Sequence, residues 1–188
     1  MKSILKSIES EYRRYKALAD AAMAQLSEGE LSKPGPGGGN SVAVVAWHIA
    51  GNLSSRFTDF LTADGEKSWR KREEEFAQRT PTRRELLDHW EHGWNVLFAS
   101  LSGLTDGHLE RSVIIRGTEL RVHDALHRSL AHASYHVGQI VYLAKALRGP
   151  DWKYLSIPPG GSEAYNRNPT GEHGDAHASK LKGSIDNR

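Results

Sequence analysis

The sequence contains no cysteine. That absence excludes a disulfide framework, an iron–sulfur cluster, a thiolate zinc knot and a cysteine nucleophile, so any metal must be held by His, Asp or Glu. An excess of one charge is missing too: 25 Lys and Arg face 23 Asp and Glu, leaving +2, with the two signs mixed along the chain. No basic stripe is available to neutralise a row of phosphates, which argues against nucleic acid as a partner. No stretch approaches ~18 consecutive apolar residues. Met1-Lys2-Ser3-Ile4-Leu5-Lys6 leads directly into a charged helical pattern, so a cytoplasmic protein without a membrane partner is expected. The 188 residues suit one domain, and their apolar share rules out a wholly disordered chain. What the sequence does hold in quantity is histidine, ten in all.

Hydrophobic periodicity organises the chain into four long helices. Ile4, Ile8, Tyr12, Leu18, Ala22 and Leu26 keep three- and four-residue steps over residues 3 to 27. The segment Lys33-Pro-Gly-Pro-Gly-Gly-Gly39 then breaks the pattern as a loop. Asn40 or Ser41 caps a second helix over about 42 to 62, and Thr82 with Glu85 forms a capping box for a third, ending near 102. Between these two, residues 64 to 76 are dense in both charges and offer only Trp69 and Phe76 to a core, the composition of a solvated connector. Val113 to Val122, β-branched around Gly117-Thr118, forms a small hairpin or an extended arm. A fourth helix runs from about 122 to 148, where Gly149-Pro150 stops it. The expected fold class is all-α: a four-helix bundle over residues 1 to 160 with an irregular polar tail from 161 to 188.

Four histidine pairs have spacings that let two imidazoles reach one cation: His89/His92, His123/His127, His132/His136 and His173/His177. The helix face separates them. At roughly 100° per residue, His132 and His136 fall at the edge of the core-facing arc of the fourth helix, with His123 and His127 about 180° away on the outer face. His89 and His92 lie off the Trp90/Trp94/Leu97 stripe beside Gly93, which points to the rim, and His173 and His177 lie in the Gly-rich tail. His48, bordering the core face of the second helix, is the natural third donor, although a carboxylate replaces it if the helices are rotated differently. Three imidazoles leave coordination positions open, the arrangement of a catalytic metal. Zn²⁺ or Ni²⁺ suits such a donor set, and Fe²⁺ or Mn²⁺ is compatible with it.

Several segments resemble the DinB/YfiT-like superfamily of four-helix-bundle metalloenzymes, in particular a bacterial subgroup. Asn40-Ser41 with Trp47-His48-Ile49-Ala50-Gly51-Asn52-Leu53 resembles the second-helix motif of that subgroup. Arg56-Phe57, Asp64-Gly65-Glu66-Lys67, Arg70, Arg72, Glu73 and Phe76 resemble its connector. His132, Tyr135, His136, Val137, Gly138, Gln139 and Ile140 resemble its last-helix signature, and Leu155-Ser156-Ile157-Pro158 its closing segment, so the resemblance covers about residues 1 to 166. It implies a metal triad of His48, His132 and His136, a homodimer, and, from some relatives, a low-molecular-weight thiol such as bacillithiol or mycothiol as cosubstrate.

The chemistry expected is a metal-dependent transferase in which a small thiol loses its proton at the open position and attacks an electrophilic small-molecule substrate. Asn52 and Gln139, on faces adjoining the ligands, are candidates for binding the cosubstrate, for orienting the substrate or for accepting the second ring N–H of a ligand histidine. The alternatives are metal-assisted hydrolysis, for which neither ligand motif contains a glutamate to act as base, and a non-catalytic metal-binding stress protein.

Overall fold

Side-chain acceptors mark where three of the four long helices begin. In the computed structural model, which describes residues 3–186, α1 spans Ile4–Met23, and Asp106 accepts hydrogen bonds from its first amides, Ile4 and Leu5, at 3.1 Å each. A single turn, α2, follows at Glu28–Leu31. The next long helix, α3, covers Val42–Phe57, and its cap is Ser41, whose hydroxyl accepts from the Val44 amide at 3.2 Å. It ends at Phe57, earlier than its apolar pattern predicts, because Thr58 turns to extended backbone and Asp59 takes a left-handed φ of 50°. After the short α4 (Arg72–Glu75), α5 (Arg83–Ser102) starts at the expected Thr82/Glu85 capping box, with Thr82 N–H donating to the Glu85 carboxylate at 2.8 Å.

The segment before the last long helix is a hairpin of β1 (Ser112–Ile115) and β2 (Thr118–Arg121), with Ile115 opposite Thr118. Its turn falls at Arg116-Gly117, one residue earlier than the sequence pattern places it. Both residues have left-handed φ, 55° and 72°, as the two central residues of a type I′ turn require. Asp64 pins this turn to the connector by accepting from the Arg116 and Gly117 amides at 2.8 and 2.7 Å. Helix α6 (Val122–Arg148) then runs the length of the molecule and stops where Gly149 adopts a φ of 53°.

Helices α1, α3, α5 and α6 form the bundle: α3 packs on both α5 and α6, and α1 on α6 and α5. Their apolar stripes meet around Tyr12, Ile49, Trp90, Trp94, Leu126 and Ile140, all less than 2% exposed. Within the bundle α3 and α5 cross closely. A Cβ at Gly93 would lie 2.6 Å from both the Cα and the carbonyl oxygen of Ala50, so Gly93 is buried where the two backbones touch. It therefore marks a packed crossing and not the rim that the sequence suggests.

The tail is more regular than its composition predicts. It holds α7 (Ser162–Arg167) and α8 (Gly174–Asp186), and α8 lies along α1 with Ala178 and Leu181 buried. Among the described residues no helix is long and apolar enough to cross a membrane.

Candidate metal centre

Two helices bring three imidazoles together. His48 projects from the middle of α3, and His132 and His136, one turn apart on α6, project toward it. One ring nitrogen from each of the three lies within 4.8 Å of the others. His48 Nε2 stands 3.2 Å from His132 Nε2. Two nitrogens bound to one tetrahedral zinc at about 2.0–2.1 Å would lie about 3.3 Å apart, so this pair already has the spacing of two ligands to one ion. His48 is 3% exposed, and the other two are half-buried.

The far side of each flanking ring is engaged. His48 Nδ1 donates to Glu75 Oε2 at 2.8 Å, which places the proton on Nδ1 and leaves the Nε2 lone pair pointing into the cluster. His136 Nδ1 donates to Gln139 Oε1 at 2.8 Å, with the same consequence for its Nε2. Glu75 is clamped in turn by Arg70, whose Nε and terminal nitrogen each donate to one carboxylate oxygen at 2.8 Å. Burial alone would raise the pKa of Glu75, but hydrogen bonds from Arg70 and His48 outweigh it and hold the carboxyl below its ordinary range. Desolvation, with smaller contributions from its two histidine neighbours and nearby arginines, lowers His132 to about 3; His136 is lowered as well, again chiefly by burial. Both are therefore neutral imidazoles at neutral pH, the form that ligates metal.

Glu75 and Arg70 are the functional residues that sequence reasoning missed. The connector is not simply a solvated strap: it crosses α3 and places both side chains in the interior, where Arg70 is 9% and Glu75 7% exposed. Gly51 makes room for them, since a Cβ at that position would sit 2.5 Å from Glu75 Oε1. Phe76, also from the connector, lies over His48 with ring centroids 4.4 Å apart.

The cluster opens on a cavity of about 300 Å³. Phe57, Phe60, Phe76 and Ile115 supply its apolar wall, and the hairpin turn closes one side. Asn52, one turn beyond His48, lines this cavity. Gln139 does not line it; the contact it makes at this site is with His136.

The remaining histidines are placed elsewhere. His89 is half-buried and stacks on Trp47 at 4.0 Å, with the Arg79 guanidinium 4.3 Å from the same indole, so it has the packed support that the sequence reading denies it. His92 is exposed. His123 bonds the Leu109 carbonyl through Nδ1 at 3.1 Å, while His127 is exposed on the outer face. His177 Nε2 donates to the Leu155 carbonyl, away from His173. Among the described residues, the only group of three or more His, Asp or Glu donors close enough to share an ion is His48, His132 and His136.

Comparison with known proteins returns one family. Neither a curated protein nor a solved structure matches the chain. The model of the family described as "Protein of unknown function (DUF1572)" matches residues 1–161, a span that includes all three histidines, the connector and the whole bundle. The chain accordingly belongs to the DUF1572 family.

Proposed function

We propose that this protein is a metal-dependent enzyme of the DinB/YfiT-like kind, most simply a transferase that activates a low-molecular-weight thiol. The observation that carries the reading is the cluster itself: three imidazoles from two helices, within 4.8 Å, at the end of a 300 Å³ cavity. A divalent cation there supplies Lewis acidity that lowers the pKa of a coordinated thiol or water. His48, His132 and His136 hold it as neutral ligands. Glu75 and Gln139 fix the ring orientation of His48 and His136 and hold their protons on Nδ1, which makes Nε2 the atom that would ligate. The phenylalanines and Ile115 offer an apolar surface on which the carbon skeleton of an electrophilic substrate would lie.

The polar lining favours thiol transfer over hydrolysis. No carboxylate lines the cavity, and both oxygens of Glu75 are already occupied by Arg70 and His48. Among the described residues no carboxylate in the cavity could thus serve as general base for water, whereas a thiol, far more acidic than water to begin with, would release its proton to solvent on coordination and attack as the thiolate. The test is turnover of a chromogenic electrophile by metal-loaded protein with and without a panel of small thiols. The reading expects product only when a thiol is present. Equal rates without any thiol would replace it with hydrolysis.

A further inference from the structure

The cavity is cationic beyond what the three histidines need. Five guanidiniums line it, from Arg56, Arg70, Arg72, Arg116 and Arg128. Acidic groups nearby are too few to balance them. Arg56, Arg70 and Arg116 all converge on one atom, Glu66 Oε2, at 2.9, 3.5 and 3.0 Å. Glu75 takes the second charge of this group through Arg70, and Arg72 is paired with the exposed Glu73 at 2.8 Å. Asp64, the next nearest acid, is turned away to the amides of Glu66, Arg116 and Gly117, with Lys67 beside it.

Arg128 is left over. It makes no hydrogen bond or ion pair among the described residues, is solvent-exposed, and lines the cavity one turn before His132 on the same face of α6. Like charges gathered around one cavity repel each other, and Glu66 alone is shared among three of them, with none of these carboxylates reaching Arg128. Three neutral imidazoles would also leave a divalent cation uncompensated. A guanidinium is a planar fork of donors matched to the paired oxygens of an oxyanion.

We infer that the ligand taken by this cavity carries an oxyanion, a carboxylate or a group of the same charge and shape, which is received by Arg128 at the mouth beside the histidine cluster. The inference deepens the thiol-transferase reading, on which it rests, by naming a negatively charged substrate or cosubstrate.

Two experiments on the full-length protein test it. In the first, metal-free protein is titrated with 3-mercaptopropionate, 2-mercaptoethanesulfonate, 2-mercaptoethanol and cysteamine while the amide spectrum is followed by NMR. The two anions should shift cavity-lining amides saturably, with affinity about tenfold or more above the neutral thiol, the scale of one charge-assisted hydrogen bond. Added salt should narrow the gap. Arg128→Gln should remove most of the preference, Arg128→Lys should retain part of it, and Arg84→Gln, at the exposed Arg84–Asp88 pair, should leave it intact. Carboxylate against sulfonate shows which oxyanion fits better, and orthophosphate added as a competitor shows whether a phosphate serves. Equal affinity for anionic and neutral thiols, or an unchanged preference in Arg128→Gln, overturns the inference.

In the second, the same thiols are added to protein loaded with Co²⁺, and the thiolate-to-cobalt absorption is read. Anion selectivity without cobalt uptake would retain the oxyanion site and reject the metal-enzyme reading. Cobalt uptake with thiolate absorption but no charge selectivity would do the reverse.

Discussion

Glu75→Ala is expected to destabilise the protein by about 3 kcal/mol and to weaken metal binding by about 10–100-fold. The first effect comes from Arg70, whose side chain is 1% exposed and which would keep only the 3.5 Å contact to Glu66 as compensation for its buried charge. The second comes from His48, which would lose the acceptor that holds its proton on Nδ1 and its ring in place. Glu75→Gln separates the two. Its amide oxygen can still accept from His48, so metal affinity should fall less than in the alanine variant, while the unpaired Arg70 keeps most of the stability loss. Glu73→Ala, two residues earlier at a side chain 89% exposed, should change stability by less than about 0.5 kcal/mol. Urea unfolding with a matched metal titration reads both effects. A Glu75→Ala protein as stable as Glu73→Ala would show that the buried ion pair is not formed.

Gly93→Ala should destabilise by about 2 kcal/mol or more, although alanine is the better helix former. Removing a glycine from a helix interior gains about 1 kcal/mol in propensity. Against this, the added methyl would stand 2.6 Å from two backbone atoms of Ala50, and neither can rotate aside. Overpacking of this kind costs about 1–3 kcal/mol where side chains can yield, and more where backbones must part. Separating α5 from α3 would also shift the helix that carries His48. Gly138→Ala on α6 is the internal control: nothing lies within 4 Å of its added methyl, so the propensity gain should appear alone, as about 0.5–1 kcal/mol of stabilisation. Opposite signs for the two substitutions in thermal or urea unfolding are the expected result.

These residues show where the sequence was legible and where it was not. The four bundle helices and the inward His132/His136 pair follow from period and face, because an amphipathic helix writes its buried side into residue spacing, while the choice of His48 over a carboxylate as third donor came from the family resemblance. The end of α3 was misplaced because a single left-handed residue, Asp59, breaks a pattern that Phe60 continues in the sequence. Glu75 was hidden for a different reason. It sits in the run Glu73-Glu74-Glu75, where composition says solvent, and only the path of the connector across Gly51 singles out one carboxylate for burial. Its legible trace was Phe76, an apolar residue marking that this end of the connector turns inward. Gln139 was legible as a residue adjoining the ligands, and of the roles open to it the contact made is with His136, three residues away on the same helix. In α8, Ala178 and Leu181 are too few to produce a periodic stripe, and the helix is held by its docking on α1, which no local pattern encodes.

The account turns on whether His48, His132 and His136 bind one divalent cation together. The direct measurement is metal content per chain, by elemental analysis of tag-free protein after exposure to Zn²⁺ and removal of loosely held ion, for the wild type and for His48→Ala, His132→Ala, His136→Ala and His173→Ala. One equivalent in the wild type and in His173→Ala, with less than a tenth of that in each of the other three, is the predicted result. Full metal content in any of those three variants while its fold is intact would contradict a shared site.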